Sequence, residues 1–283
     1  MRFLATIVSA ALLTACATIA DAPPARLAAD PFYRKHVDAA GIPILSSARV
    51  PDAALFAARD MVRGMLAHRP DLAAWLVSND YRIALISRDE ALLDLPENAD
   101  WTKPARDDPR LTRCELKHYD ERIGSKTDRE YWDERARGIG GERMVGSEED
   151  VLGLPISRYW GETIFVHEFA HNVLFAIEGA DPGLYERVTA AYANALANDL
   201  WFEEYTTTTM QEYWAEGTQF WFNSNRLQAF DGRRILNARD LADYDPQLYA
   251  VLAEAYGDSH ELVSDPFYMH PARVPPGPPP LNT

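Results

Sequence analysis

The run from Ile164 to Ile177 constrains this chain most: every position in it is apolar apart from His167, Glu168, His171 and Asn172. A segment that is apolar nearly all round reads as a helix buried in the core. Residues four apart stand one above the other on a helix face. His167 and His171 can therefore grip a single metal ion, with Glu168 beside them facing the same cavity. Buried imidazoles and a buried carboxylate need partners, and one ion supplies a partner for all three. Two histidines at this spacing also occur as ordinary core residues, so the assignment turns on whether a further donor is present.

A catalytic zinc takes three protein ligands and keeps a fourth position open. Met210 to Phe222 reads as a second buried helix, with Thr206 to Thr209 offering caps and with Glu212 and Glu216 four apart on one face. The flanking Tyr213, Trp214, Phe220, Trp221 and Phe222 place that helix inside, where an unpaired carboxylate is costly. Glu212 is the candidate third ligand. Glu216, one turn on, is placed to hydrogen-bond a ligand histidine and fix its tautomer. Gly217 costs helix stability relative to alanine, which close approach of the two helices would explain. His260 and His270 lie near exposed prolines and read as solvated.

At 283 residues, 47% hydrophobic and 11% aromatic, the chain can bury a sizeable core. It opens with Arg2 and the apolar run Phe3 to Leu13, followed by Leu13-Thr14-Ala15-Cys16, an export leader. That tetrapeptide resembles a bacterial lipobox. The resemblance implies removal of residues 1–15 and acylation of Cys16, leaving a protein held by lipid in the cell envelope, on the outer membrane facing the periplasm, with no spanning helix. The alternative is an uncleaved anchor over the uncharged run Phe3 to Ala20, whose many Ala, Thr and Ser make it weakly apolar for that role. Cys114 would then be the one remaining thiol, so no intramolecular disulfide is expected. A net charge of −15 repels nucleic acid and anionic lipid headgroups alike, which leaves the lipid anchor as the expected membrane contact.

Residues 16–31, rich in Ala, Pro and Asp from Asp21 on, read as an exposed, flexible tether, residues 32–270 as one domain, and residues 271–283 as an extended Pro-rich tail. Within the domain, Gly41 to Ser47 reads as extended, Pro51-Asp52 opens an amphipathic helix, and Tyr81 to Ser87 reads as a strand. The stretch from Glu90 to Arg137 is highly charged and lacks a periodicity that would order it. Arg137 to Gly141 is Gly-rich without the third glycine of a dinucleotide fingerprint, and is expected to be a flexible turn beside the cleft. Gly124-Ser125-Lys126-Thr127 lacks the glycines of a P-loop, and there is no nucleophile elbow. Gly179 suits a helix C-cap, and Asp181-Pro182 and Asp245-Pro246 each start a further helix.

Taken together, His167-Glu168-Phe169-Ala170-His171, Glu212-Tyr213-Trp214-Ala215-Glu216, and Tyr205 seven residues before Glu212 resemble the gluzincin metallopeptidases, and within them the lethal-factor-like group. Residues 160–222 carry the resemblance. It implies one zinc ion per chain on His167, His171 and Glu212, Glu168 as general base, Glu216 behind a ligand histidine, and Tyr205 as hydrogen-bond donor to the oxyanion. The activity implied is hydrolysis of peptide bonds in a peptide or protein substrate through a metal-activated water. The expected fold is α+β and zincin-like, a small, mostly antiparallel sheet packed on the helices that carry the site, with one strand lining the cleft. The alternative is a catalytically silent envelope lipoprotein whose zinc is structural and which binds a protein partner. The intact Glu168 weighs against it, since a structural site has no use for a general base.

Overall fold

The computed structural model describes residues 19–230 and 232–277; the leader 1–15, Cys16 and residues 278–283 lie outside the described residues. Strands β1 (Lys35–Ala39) and β2 (Ile42–Ser46) form an antiparallel pair, and Ala40 and Gly41 between them are both left-handed, as a tight hairpin turn requires. Two helices follow, α1 (Asp52–Leu66) and α2 (Pro70–Ser78). They return the chain to β3 (Arg82–Ile86), which runs parallel to β2. The charged stretch then contributes the short helices α3 (Arg113–Lys117) and α4 (Asp128–Arg135), each opened by a threonine whose hydroxyl accepts from the backbone N–H three residues on. It ends in β4 (Arg143–Ser147), parallel to β3.

The sheet order is β1-β2-β3-β4, so the architecture is α+β with a small sheet packed on several helices, as expected. The strand directions differ from expectation: of the three pairings, β1–β2 is antiparallel, while β2–β3 and β3–β4 are parallel. The reason is the strand–helix–strand order itself, because a helical crossover returns the chain in the direction it left. Ile42 and Ile44 of β2 and Ile83 and Leu85 of β3 share one core with α1, where Leu55, Ala58, Met61, Val62 and Met65 line the buried stripe, whereas Leu45 and Ile86 pack in a separate cluster.

After α5 (Glu148–Val151) come the long helices α6 (Ile164–Ala180), α7 (Pro182–Ala197) and α8 (Met210–Trp221), then a hairpin of β5 (Gln228–Phe230) and β6 (Arg233–Ile235), α9 (Ala238–Tyr244) and α10 (Pro246–Tyr256). Asp181 and Asp245 cap α7 and α10 by accepting from Leu184 and Leu248 N–H, each followed by proline at the first helical position. Helix α6 runs through Gly179 and ends at Ala180, so Gly179 is not the cap it was expected to be. Gly179 lies inside it because a Cβ there would stand 2.2 Å from Cε2 of Trp75 on α2. Gly217 likewise admits a neighbour, but that neighbour is Leu248 of α10, 2.7 Å from where its Cβ would be, and not α6.

Two boundaries move. The stretch 21–31 is not a free tether: Asp21 pairs with His36 on the edge of β1, Leu27 is buried, and the Leu27 carbonyl accepts from Arg82 Nη1 at 2.8 Å. At the other end, Arg273 is 2% exposed, and its guanidinium donates to the carbonyls of Asn225 and Leu236, so the packed structure continues into the expected tail. Burying so large a cation is tolerated because backbone oxygens take its protons. Among the described residues no helix is long and apolar enough to cross a membrane.

Candidate active site

Helix α6 is held at its start and at its middle. Asp150, fully buried on α5, accepts from the backbone N–H groups of Ile164 (3.2 Å) and Phe165 (2.8 Å) at the helix start. Burial pushes its carboxyl well up, while those two N–H groups pull the other way. Gly146 of β4 lets Phe165 approach to 2.6 Å of a would-be Cβ, and Trp214 Nε1 on α8 donates to the Ala170 carbonyl at 3.0 Å. These contacts fix α6 against the sheet on one side and α8 on the other.

The outcome is that His167 and His171 of α6 face Glu212 of α8. Their donor atoms all lie within 4.8 Å of one another. His167 Nε2 stands 2.9 Å and His171 Nε2 3.8 Å from Glu212 Oε2. Two ligands on one tetrahedral zinc are separated by roughly 3.3 Å, given bond lengths of about 2.0–2.1 Å, so the spacing suits a shared ion. A second feature fits too. Burial opposes charge on His167, yet its hydrogen bonds to Glu212 and Glu216 leave its pKa well above the ordinary value. Burial pushes His171 down to about 4, with His167 adding to the effect. Glu212 is held below the ordinary carboxylate range against the opposing effect of burial, by His167, His171 and Tyr205. A half-buried carboxylate facing two imidazoles favours a positive charge among them, and a divalent ion can stand where the His167 proton does.

The other ring nitrogen of His167 is fixed from behind. His167 Nδ1 is 3.0 Å from Gln219 Oε1 and 3.4 Å from Glu216 Oε1. Gln219 Nε2 donates to the Thr163 carbonyl at 3.1 Å, so the amide oxygen faces His167 and Nδ1 carries the proton. Glu216 therefore lies behind the histidine as expected, but it shares that place with Gln219, and its other oxygen accepts from Asn225 Nδ2 and Gln228 Nε2, both at 2.8 Å. Sequence reading missed Gln219, Asn225 and Gln228. The signal for Gln219 was present, since 212, 216 and 219 recur on one helical face; Asn225 and Gln228 come from the loop and strand beyond it, with no periodicity to mark them.

Glu168 is partly buried one turn before His171. Burial raises its pKa, the charge of Glu212 adds to this, and His167 and the Gly140 N–H oppose it. The Gly-rich segment is the floor of this wall. Ile139 exchanges both backbone hydrogen bonds with Val145 of β4 (3.0 and 2.9 Å), which makes it a short antiparallel addition to the sheet edge instead of a flexible turn. Gly138 would place a Cβ 3.0 Å from Glu168 Cγ, and Gly140 one 2.9 Å from His171 Cβ, so both glycines are there for close approach. Gly141 closes the segment by donating to Asn172 Oδ1 at 2.8 Å.

Tyr205 stands opposite, half exposed, its ring stacked on His167 with centroids 6.4 Å apart. Its hydroxyl pairs with Glu212, and burial followed by the Glu212 charge raises its pKa. His260 and His270 are elsewhere: His260 packs on Trp221 and His270 on Trp160 and Phe267. Cys114 is exposed and unpaired, and Cys16 lies outside the described residues.

No family model matches the chain, and no curated protein matches it in sequence. Among solved structures, the Pro-Pro endopeptidase of Paenibacillus alvei is similar over 75% of this chain and 96% of its own, with 15% sequence identity and a TM-score of 0.48.

Proposed function

We propose that this chain is a zinc-dependent peptidase that hydrolyses peptide bonds. The observation that carries the reading is the convergence of His167, His171 and Glu212 within 4.8 Å on two packed helices, with Glu168 on the same wall. A zinc ion bound there would polarise a substrate carbonyl and lower the pKa of a water in its open position. Three donors support a catalytic site over a closed structural one, which takes four. Glu168 takes the proton of the attacking water and returns it to the leaving amine, a task suited by a carboxylate whose pKa burial has raised. Tyr205 donates its hydroxyl to the oxygen that gains charge as the carbonyl is attacked. The segment around Ile139 forms the outer edge of the sheet beside the site, along which an extended peptide can add as a strand.

Glu168→Gln is the direct test. It keeps the side-chain shape and is expected to retain bound zinc while losing about a thousandfold or more in kcat on a cleavable peptide. Undiminished hydrolysis would remove Glu168 from the mechanism. Acylation of Cys16 adds a place, the cell envelope, to this proposal; incorporation of labelled fatty acid into wild type but not Cys16→Ala is the expected result.

A further inference from the structure

The loop that brings Tyr205 to the site has an unusual backbone. Asp199 (φ 52°), Trp201 (φ 57°) and Glu203 (φ 61°) are all left-handed without being glycine. Such residues persist only where the surroundings impose the conformation. Here the surroundings are one buried indole and one buried carboxylate. Trp201 is fully buried against Phe220, Phe230 and Tyr244, with ring centroids 5.8, 5.8 and 4.9 Å away. Its Nε1 donates to Asp245 Oδ2 at 3.0 Å, its backbone N–H donates to the Tyr244 hydroxyl at 2.8 Å, and its carbonyl accepts from Thr207 Oγ1 at 3.1 Å.

Asp245 Oδ2 also accepts from the hydroxyl of Tyr213, the neighbour of Glu212, at 2.7 Å, and Oδ1 accepts from Leu248 N–H at the start of α10 at 3.0 Å. With no exposed surface, this carboxylate ties three elements together: the Tyr205 loop, the helix that carries Glu212, and α10. Nothing in the catalytic proposal uses either residue.

We propose that Trp201 and Asp245 are positioning residues that hold the 199–204 loop in its left-handed course and so set the Tyr205 hydroxyl against Glu212. Only the consequence for catalysis rests on the peptidase reading; the placement of Tyr205 does not.

The test is fluorine NMR of fluorotyrosine-labelled protein, with the Tyr205 resonance assigned by its loss in Tyr205→Phe. Trp201→Phe keeps an aromatic ring in the pocket and deletes the donor. It is expected to move the Tyr205 resonance toward that of a solvent-exposed tyrosine while Tyr33 and Tyr81, in the sheet half, stay in place and report an intact fold. Asp245→Asn, of the same shape, should move the same resonance. Glu203→Gly, which adopts the left-handed conformation more readily, should leave that resonance and kcat at their wild-type values. On a cleavable peptide, Trp201→Phe should lower kcat about tenfold with KM little changed, because a displaced donor loses its alignment. Adding Trp201→Phe to Tyr205→Phe should cost little more, since both act through one hydroxyl. An unmoved Tyr205 resonance in Trp201→Phe overturns the positioning role, whatever the activity. Losses in kcat that multiply in the double variant overturn its route through Tyr205. A moved resonance in a protein that cleaves nothing supports the anchor and removes the peptidase reading instead.

Discussion

Asp265 carries a pH dependence that can be isolated from the rest of the molecule. Burial pushes its carboxyl from 3.8 up to about 6, against the pull of Thr163, the Phe267 N–H and Ser224. Its folded pKa lies above its unfolded one, so the folded state binds the proton more tightly. The contribution to stability is present in full below the unfolded pKa of 3.8 and is lost as pH rises through about 6. A shift of that size is worth at most about 3 kcal/mol, at roughly 1.4 kcal/mol per unit. In thermal unfolding followed from about pH 4 to about pH 7, wild type should lose stability relative to Asp265→Asn across that window. A pH-independent difference would contradict the buried, proton-binding state. At this scale the legible part was chemical: His167 and His171 were readable because helical spacing puts them on one face, and Glu212 because a carboxylate among buried aromatics needs a partner. The supports behind them were not, since Asn225, Gln228, Thr163 and Asp150 reach the site through turns and termini, where spacing carries no direction.

Among elements, the two helices of the site were visible as apolar runs interrupted by charged residues, and the structure packs them face to face. Their glycines show what sequence could and could not assign. Gly179 reads as a stop signal, yet it lies within α6 because the indole of Trp75 occupies the space of a side chain. Gly179→Ala should gain about 1 kcal/mol of helix propensity and lose more to the clash, since forcing a methyl into a packed contact costs about 1–3 kcal/mol. Trp75 is itself packed on Tyr81, centroids 5.7 Å apart, and has little room to yield. A lower urea midpoint is the expected outcome; a higher one would show that the indole moves freely. The stretch from Glu90 to Arg137 resisted ordering for a related reason. It is held by capping threonines, ion pairs such as Arg129–Asp94, and a small cluster of Tyr119, Ile123 and Tyr131, which leave no repeating apolar face. The parallel strand pairings were implied by the strand–helix–strand order, but pairing direction depends on the crossover and leaves no mark in the strand residues themselves.

On the scale of the whole molecule, the sheet half and the helical half meet at α6, with β4 and the Gly138–Gly140 edge on one side and α8 on the other. Binding an ion that only the folded chain can hold should stabilise both halves together, by about 4 kcal/mol at a thousandfold excess over Kd. The central claim is the three-donor site, and the measurement that tests it most directly is elemental analysis of the purified chain from residue 17 onward, wild type beside Glu212→Ala. About one zinc per chain in wild type, lost or strongly weakened in the variant while the fold is retained, is the predicted result. Wild-type protein that is folded, carries no metal and takes up none from added zinc would contradict it.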